Sequence, residues 1–249
     1  MSENLRIVLV GTQHPGNIGS AARAMKTMGL SRLVLVAPLR FPHPEADALA
    51  AGAVDVLATA EIHATLADAV ADCRLVIATT ARQRTVPMSE MSAKAAAQRL
   101  REESKLGAVA LVFGRERTGL ENEELQRCHA AVTLPANPDY SSLNIAAAVQ
   151  ILAYELRLAT LAAGEAVANC RESADPELEP ASQREMEGFF AHLAGYLEQI
   201  DFHKGHSPEI VEQRLRRLFL RAQPAPRELR ILRGILSDSQ RLLRLSRPD

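Results

Sequence analysis

The run IVLVG (7–11), followed without a break by TQHPGNIGSAARAMKTMGL (12–30), sets the fold class. Four apolar, mostly β-branched residues end at a glycine, and a stretch with helical spacing begins within six residues. That is a buried strand turning straight into a helix, the opening of a βαβ unit. The pattern recurs. LVLVA (33–37), RLVIATT (74–80), AVALVFG (108–114) and AAVTLPA (130–136) read as further buried parallel strands, and helical spacing falls around 17–29, 45–53, 62–71, 89–103, 121–127 and 142–162. Strands alternating with helices predict an α/β fold with a Rossmann-like parallel sheet.

Beyond residue 162 the pattern changes. EAVANCRESADPELEPAS (165–182) is acidic, holds Pro176 and Pro180 and lacks an apolar period, so it reads as a linker. Helical spacing returns over 182–202, 208–221 and about 227–245, with Ser207-Pro208 as an N-cap followed by proline at the first helical position. The expected organisation is therefore 1–162 as the main domain, 163–181 as linker and 182–249 as a small all-α domain. Net charge is −1, but its distribution is uneven. Lys/Arg number 16 against 16 Asp/Glu in 1–162, 2 against 9 in 163–201, and 11 against 5 in 202–249. The basic tail, with Arg214, Arg216, Arg217, Arg221, Arg227, Arg230 and Arg233, can meet phosphates or form a solvated helix face.

Composition excludes several classes. Hydrophobic residues make up 47% and charged residues 24%, as in a globular chain. The start MSENLRIVLVG has no basic segment leading into a long apolar one, and no run of about 18 apolar residues is expected to span a bilayer, so a cytoplasmic location is expected. Cys73, Cys128 and Cys170 are widely spaced with no partner histidines, which predicts reduced structural thiols and no metal site.

Three segments carry polar residues where a strand gives way to a helix, a position at which backbone N–H groups are free for a ligand. In the first, Asn17 and Gly19 precede Arg23. Gly11 and Gly16 have the separation of a Walker A motif, but Asn17 and Ile18 stand where Lys and Ser/Thr are required, and no GxGxxG is present. A conventional nucleotide-dependent Rossmann enzyme is therefore disfavoured. The second segment, ALVFGRERTGL (110–120), sets Arg115, Glu116 and Arg117 between Gly114 and Gly119. The third, LPANPDYSSLNIAAAVQILAYEL (134–156), gathers Asn137, Tyr140, Ser141, Ser142 and Asn144 before an apolar helix that Ser141 or Ser142 could cap. Taken singly, each segment is also compatible with a capped helix or a charged turn.

Their order is more informative. NIGSAARA, FGRERTGL and SSLNIAAAV, spread over about 130 residues, resemble the three motifs of the SpoU–TrmH branch of the SPOUT methyltransferases, N-x-G-x-x-x-R, G-x-E-x-x-G and S-L-N, across about residues 4–162. The resemblance implies a Rossmann-like half joined to a deep C-terminal trefoil knot, with S-adenosylmethionine bound in bent form. It places Thr79, Thr80, Ala81, Gly114, Arg115, Glu116, Leu134, Ser141, Ser142, Leu143 and Asn144 at the cofactor. It implies Arg23 at the ribose 2′-hydroxyl, with Asn17, Glu116, Ser142 and Asn144 organising the reaction. Arg23, Arg82, Arg84, Arg115 and Tyr140 are the expected RNA contacts.

ARAMKTMGL (22–30), NPDYSSLN and the helical tail narrow the resemblance to bacterial tRNA methyltransferases that act on the cytidine or uridine ribose at nucleotide 32 of the anticodon loop. They further imply a homodimer, with the helix from about Ser142 entering the interface through Ile145, Val149, Leu152 and Leu156. The other reading is a catalytically silent RNA-binding module of the same fold, disfavoured by intact Arg23, Glu116, Ser142 and Asn144.

Overall fold

The computed structural model describes residues 3–80, 88–137, 139, 142–164, 180–204 and 207–245. The chain forms two compact units, Met1–Cys170 and Arg171–Asp249.

The first unit is built on seven parallel strands. They are β1 (Leu5–Val10), β2 (Leu33–Val36), β3 (Glu61–His63), β4 (Leu75–Thr79), β5 (Glu90–Met91), β6 (Val109–Phe113) and β7 (Ala130–Val132), in the order β3-β2-β1-β6-β4-β7-β5. Each ladder pairs in parallel register, Leu9 opposite Phe113 and Ile77 opposite Leu111 among them. Side chains alternate across the sheet with a period of two residues and separate into two cores. Leu5, Ile7, Leu9, Leu33, Leu35, Ile77, Leu111 and Phe113 point to one face. Val8, Val10, Val34, Val36, Val76, Ala78, Ala110 and Val112 point to the other.

The first face is covered by α1 (Pro15–Thr27), α2 (Pro44–Ala50), α5 (Ala93–Glu103) and α7 (Ile145–Gly164). Against the second pack residues of α4 (Leu66–Ala69) and Leu125 of α6 (Asn122–Gln126). A short helix α3 (Val54–Ala58) follows α2 through a 3-10 turn. Arg6 takes a place on the second face, where it donates to both carboxylate oxygens of Asp72 at 2.9 and 2.7 Å and to the Ala69 carbonyl. Cys73 and Cys128 are buried thiols, the latter donating to the Glu124 carbonyl at 3.4 Å, and burial pushes the Cys73 thiol up to about 12.

Several elements depart from the sequence pattern. The helix expected over 45–53 ends as α2 at Ala50 and passes into a 3-10 turn, after which α3 begins. The one expected over 62–71 opens as β3 and keeps only α4, and that over 89–103 begins as β5. Two- and three-residue edge strands carry too few residues for a period to register, and partners distant in sequence, β2 and β7, create them.

α7 departs most. Over Ile145–Ala162 it is long and apolar enough to cross a membrane by length and composition, with a mean hydropathy of 1.4, contrary to the absence of such a run expected from sequence. One face packs on α1 and α5. That face carries Ile145, Val149, Leu152 and Leu156, each at most 6% exposed, so the residues expected in a dimer interface are spent in the protein's own core. The exposed apolar stripe is Ile151, Tyr154, Leu158 and Leu161 instead, at helical spacing of three, four and three.

In the second unit α8 (Gln183–Gln199), α9 (Pro208–Ala222) and α10 (Pro226–Leu245) surround Met186, Phe189, Phe190, Leu220, Leu229 and Leu236. Ser182 and Glu185 form a reciprocal capping box on α8. Pro208 opens α9 as expected, although the Ser207 hydroxyl bonds the Glu209 carboxylate rather than a backbone N–H. Phe189 meets the edge of Phe219 with centroids 4.7 Å apart.

Candidate active site

A cleft opens at the C-terminal ends of β4, β6 and β7, beyond the point where the chain, having run outward from β1 to β3, returns to the far side of β6. Crevices of this kind are where open parallel sheets hold ligands. Thr79 and Thr80 line it from β4, Phe113, Gly114, Arg115 and Glu116 from β6, and Val132 and Leu134 from β7. Ser142, Leu143, Ile145 and Ala148 close it from the start of α7. Thr79 donates its hydroxyl to the Val112 carbonyl at 3.1 Å, which ties two strand ends together.

The loop 114–119 folds back on itself. Arg115 and Gly119 exchange backbone hydrogen bonds at 3.2 and 2.9 Å. A Cβ on Gly114 would lie 2.3 Å from the Gly119 carbonyl carbon and the Leu120 nitrogen. Glycine at 114 is therefore demanded by the loop's own closure.

Three polar side chains, far apart in sequence, meet at the rim. Glu116 accepts from the backbone N–H of Gln13 at 3.2 Å and of His14 at 3.3 Å, and from the Asn17 side-chain amide at 2.9 Å. Asn17 Oδ1 in turn accepts from Asn144 Nδ2 at 3.0 Å, and Asn144 Oδ1 accepts from the N–H groups of Ala146 and Ala147 at 2.9 and 3.4 Å. Asn144 is thus the cap of α7, the role expected of a serine.

The chain of bonds has a fixed polarity. An ionised carboxylate can only accept, so Asn17 must aim its NH2 at Glu116, its oxygen at Asn144, and Asn144 must do likewise toward the helix. Burial alone would push the Glu116 carboxyl up, but the Asn17 bond and the backbone bonds outweigh it and hold it below the usual range. Glu116 is consequently a firm anchor and a poor proton acceptor.

Gly19 proves to lie inside α1, not in a ligand-binding turn. A Cβ there would come within 2.1 Å of the Ala46 carbonyl oxygen, so its absence lets α1 cross α2 backbone to backbone. Arg23, one turn later, is exposed. Arg115 lines the cleft, yet its guanidinium faces Glu124 at 2.9 Å and Glu121 at 3.4 Å, which is not the posture of a waiting RNA contact. Ala81, Arg82, Arg84, Tyr140 and Ser141 lie outside the described residues. Sequence reasoning missed Gln13 and His14, whose backbone contribution leaves no trace in residue type. It also missed Glu124, which closes a capping box on Glu121, a residue outside the usual Ser/Thr signature.

A parallel sheet with a cleft at its switch point, rimmed by a locked Asn-Glu-Asn triad and lacking a phosphate-gripping lysine among the lining residues, is an α/β ligand site without a nucleotide-phosphate cradle, as the motif resemblance to SPOUT methyltransferases implies. Comparison with known proteins narrows this. Residues 4–154 match the model of the SpoU rRNA Methylase family, and residues 184–248 match that of the tRNA methyltransferase TrmJ, C-terminal domain. The chain is 50% identical over 244 residues to the tRNA (cytidine/uridine-2'-O-)-methyltransferase TrmJ of Pectobacterium atrosepticum, covering 97% of this chain and 98% of that protein. The crystal structure of TrmJ from Z. mobilis superposes with a TM-score of 0.81 at 38% identity, over 94% of this chain and 98% of that one. A structure described for the 2-OH methylation of C/U34 on tRNA matches 64% of this chain and 97% of its own, with 26% identity and a TM-score of 0.52. The chain belongs to the SpoU methylase family, in its TrmJ group.

Proposed function

We propose that the protein transfers a methyl group from S-adenosylmethionine to the ribose 2′-hydroxyl of cytidine or uridine at nucleotide 32 of tRNA, in the cytoplasm and as a homodimer. The observation that carries this reading is the bonded convergence of Asn17, Glu116 and Asn144 beside a cleft that sets apolar walls against a polar loop, Arg115–Gly119. The cleft suits the cofactor. Phe113, Leu120, Leu125, Val132, Leu134, Leu143 and Ile145 offer walls for an adenine ring, and Thr79–Thr80 and the Gly114–Gly119 loop supply backbone polar groups at its edge. The cofactor, when bound, supplies an electrophilic methyl group and needs no metal.

The chain's residues must align the hydroxyl with that methyl group and remove its proton. Glu116, bonded to the turn before α1 and to Asn17 within it, fixes the direction in which α1 presents Arg23. As an exposed guanidinium, Arg23 stabilises the developing alkoxide or clamps the neighbouring phosphate, and it is not the base. The 1–162 and 182–249 segments act as catalytic and RNA-holding domains joined by the acidic linker, and the trefoil knot of this class belongs to the same proposal. The stripe Ile151, Tyr154, Leu158 and Leu161 is the surface offered to a second copy.

Purified protein, S-adenosylmethionine and unmodified tRNA, followed by nucleoside and fragment mass spectrometry, test the reading. One 2′-O-methylated pyrimidine at nucleotide 32 is the expected product. Methylation confined to nucleotide 34 would move the target, and cofactor binding without any product would leave a silent RNA-binding module.

A further inference from the structure

We propose that Arg115 is a positioning residue that works through Glu124 and holds the β1–α1 turn in place, rather than a contact to RNA. The inference rests on the methyltransferase reading above, and it concerns how Glu116 is kept on target. The Arg115 side chain lies across Gly11, where an added Cβ would stand 2.8 Å from both its Cγ and its Nε. Its guanidinium then reaches past that turn to α6, donating to Glu124 Oε2 at 2.9 Å and lying 3.4 Å from Glu121. Glu124 is held in turn, because the same oxygen accepts from the Glu121 N–H at 2.7 Å as part of the α6 capping box.

The next residue completes the grip. Glu116 takes the N–H groups of Gln13 and His14, two and three residues after Gly11. Residues 11–14 are therefore covered at one end by the Arg115 stem and tied at the other by the Glu116 carboxylate. Both clamps spring from a loop closed by the Arg115–Gly119 bridge. The hydrogen bond to Glu124 outweighs burial and raises the Arg115 pKa, as expected for a guanidinium committed to a carboxylate. If the strut is removed, the turn that leads into α1, with its Asn17 and Arg23, loses its outer support.

Arg115→Met and Glu124→Gln separate strut from RNA contact. Glutamine can keep the helix cap while removing the charge partner. A displacement of about 1 Å can cost on the order of 100-fold in rate, so each variant should lower kcat by about 10- to 100-fold with KM for tRNA little changed. Arg115→Lys should recover part of the loss. The double variant should be no worse than the poorer single one, because both remove one interaction. Amide hydrogen exchange at Gln13 and His14 should quicken in both single variants.

A shallower salt dependence of tRNA binding in Arg115→Met, by about 0.7 to 0.9 in log–log slope, with Glu124→Gln inert, would make Arg115 an RNA contact and overturn the proposal. So would additive losses in the double variant. Should Arg115→Met fail to fold by circular dichroism, Glu124→Gln alone decides through kcat and exchange. Wild-type protein that methylates no RNA would sink the functional reading, and the exchange rates would still judge the strut.

Discussion

The rim of the sheet and the C-terminal helices treat their polar groups in opposite ways. At the rim, Glu116, Asn17, Asn144, Arg115 and Glu124 are each bonded to groups that the parallel strands and helix starts bring together, so hardly any can move alone. In the helical unit Arg214, Arg221, Arg230 and Arg233 are exposed beside uncovered Ile231, Ile235 and Leu242. Arg216 differs from them, bonded to both oxygens of Glu187 and stacked 4.3 Å from the Phe190 ring centroid. Chemistry asks for preorganised groups, whereas holding a long polyanion asks for charges free to adjust.

The largest expected effect tests whether the two regions are separate. Phe189, 1% exposed, is the centre of the helical core. Phe189→Ala should cost about 3–5 kcal/mol, melting the second unit first in urea while binding of the demethylated cofactor persists. A single shared transition with loss of that binding would join the two regions into one cooperative body.

Arg23→Ala comes next. Removing one preorganised cation from the reacting oxygen should lower kcat by about 100- to 1000-fold, or about 3–4 kcal/mol, with cofactor affinity unchanged by calorimetry. Arg23→Lys should rescue poorly, since an ammonium cannot reproduce the planar fork. A fully active lysine variant would show that the free charge alone suffices, and the contrast with the rim would weaken.

A smaller effect follows from pH. His129 accepts the Val76 N–H on Nδ1 at 3.0 Å, and burial, with Arg99 adding to it, pushes the imidazole down to about 4. Its folded pKa lies below the unfolded value of about 6.5, so the unfolded chain binds the extra proton in between. Stability should be full above about 6.5, fall as pH drops toward 4, and stop changing from this source below that. Urea melts of the wild type and His129→Gln across that window check it. Equal slopes would remove His129 from the account.

The smallest effect belongs to the tail. Arg230→Ala with Arg233→Ala should leave the fold intact and reduce the salt slope of tRNA binding by about 0.7 to 0.9 for each phosphate that the side chains no longer neutralise. No change in slope would mean that these charges only solvate the helix.

Much of this was present in residue order. Unbroken apolar runs announced β1, β2, β4, β6 and β7, because strands buried on both faces seldom carry polar residues. The three motifs named the rim residues and the family. Residue types also showed what the cleft could not be, since a phosphate cradle without its lysine is no cradle. Other features depended on packing between distant segments. The edge strands β3 and β5 exist only through their neighbours, and the buried face of α7 is set by α1 and α5, which consumed the four residues expected at a dimer interface. Gly19 serves the crossing of α1 over α2, and Arg115 turns to α6, because a side chain's role is decided by what stands within about 3 Å of it. Sequence determined which groups were available, and the tertiary structure decided which of them were already engaged.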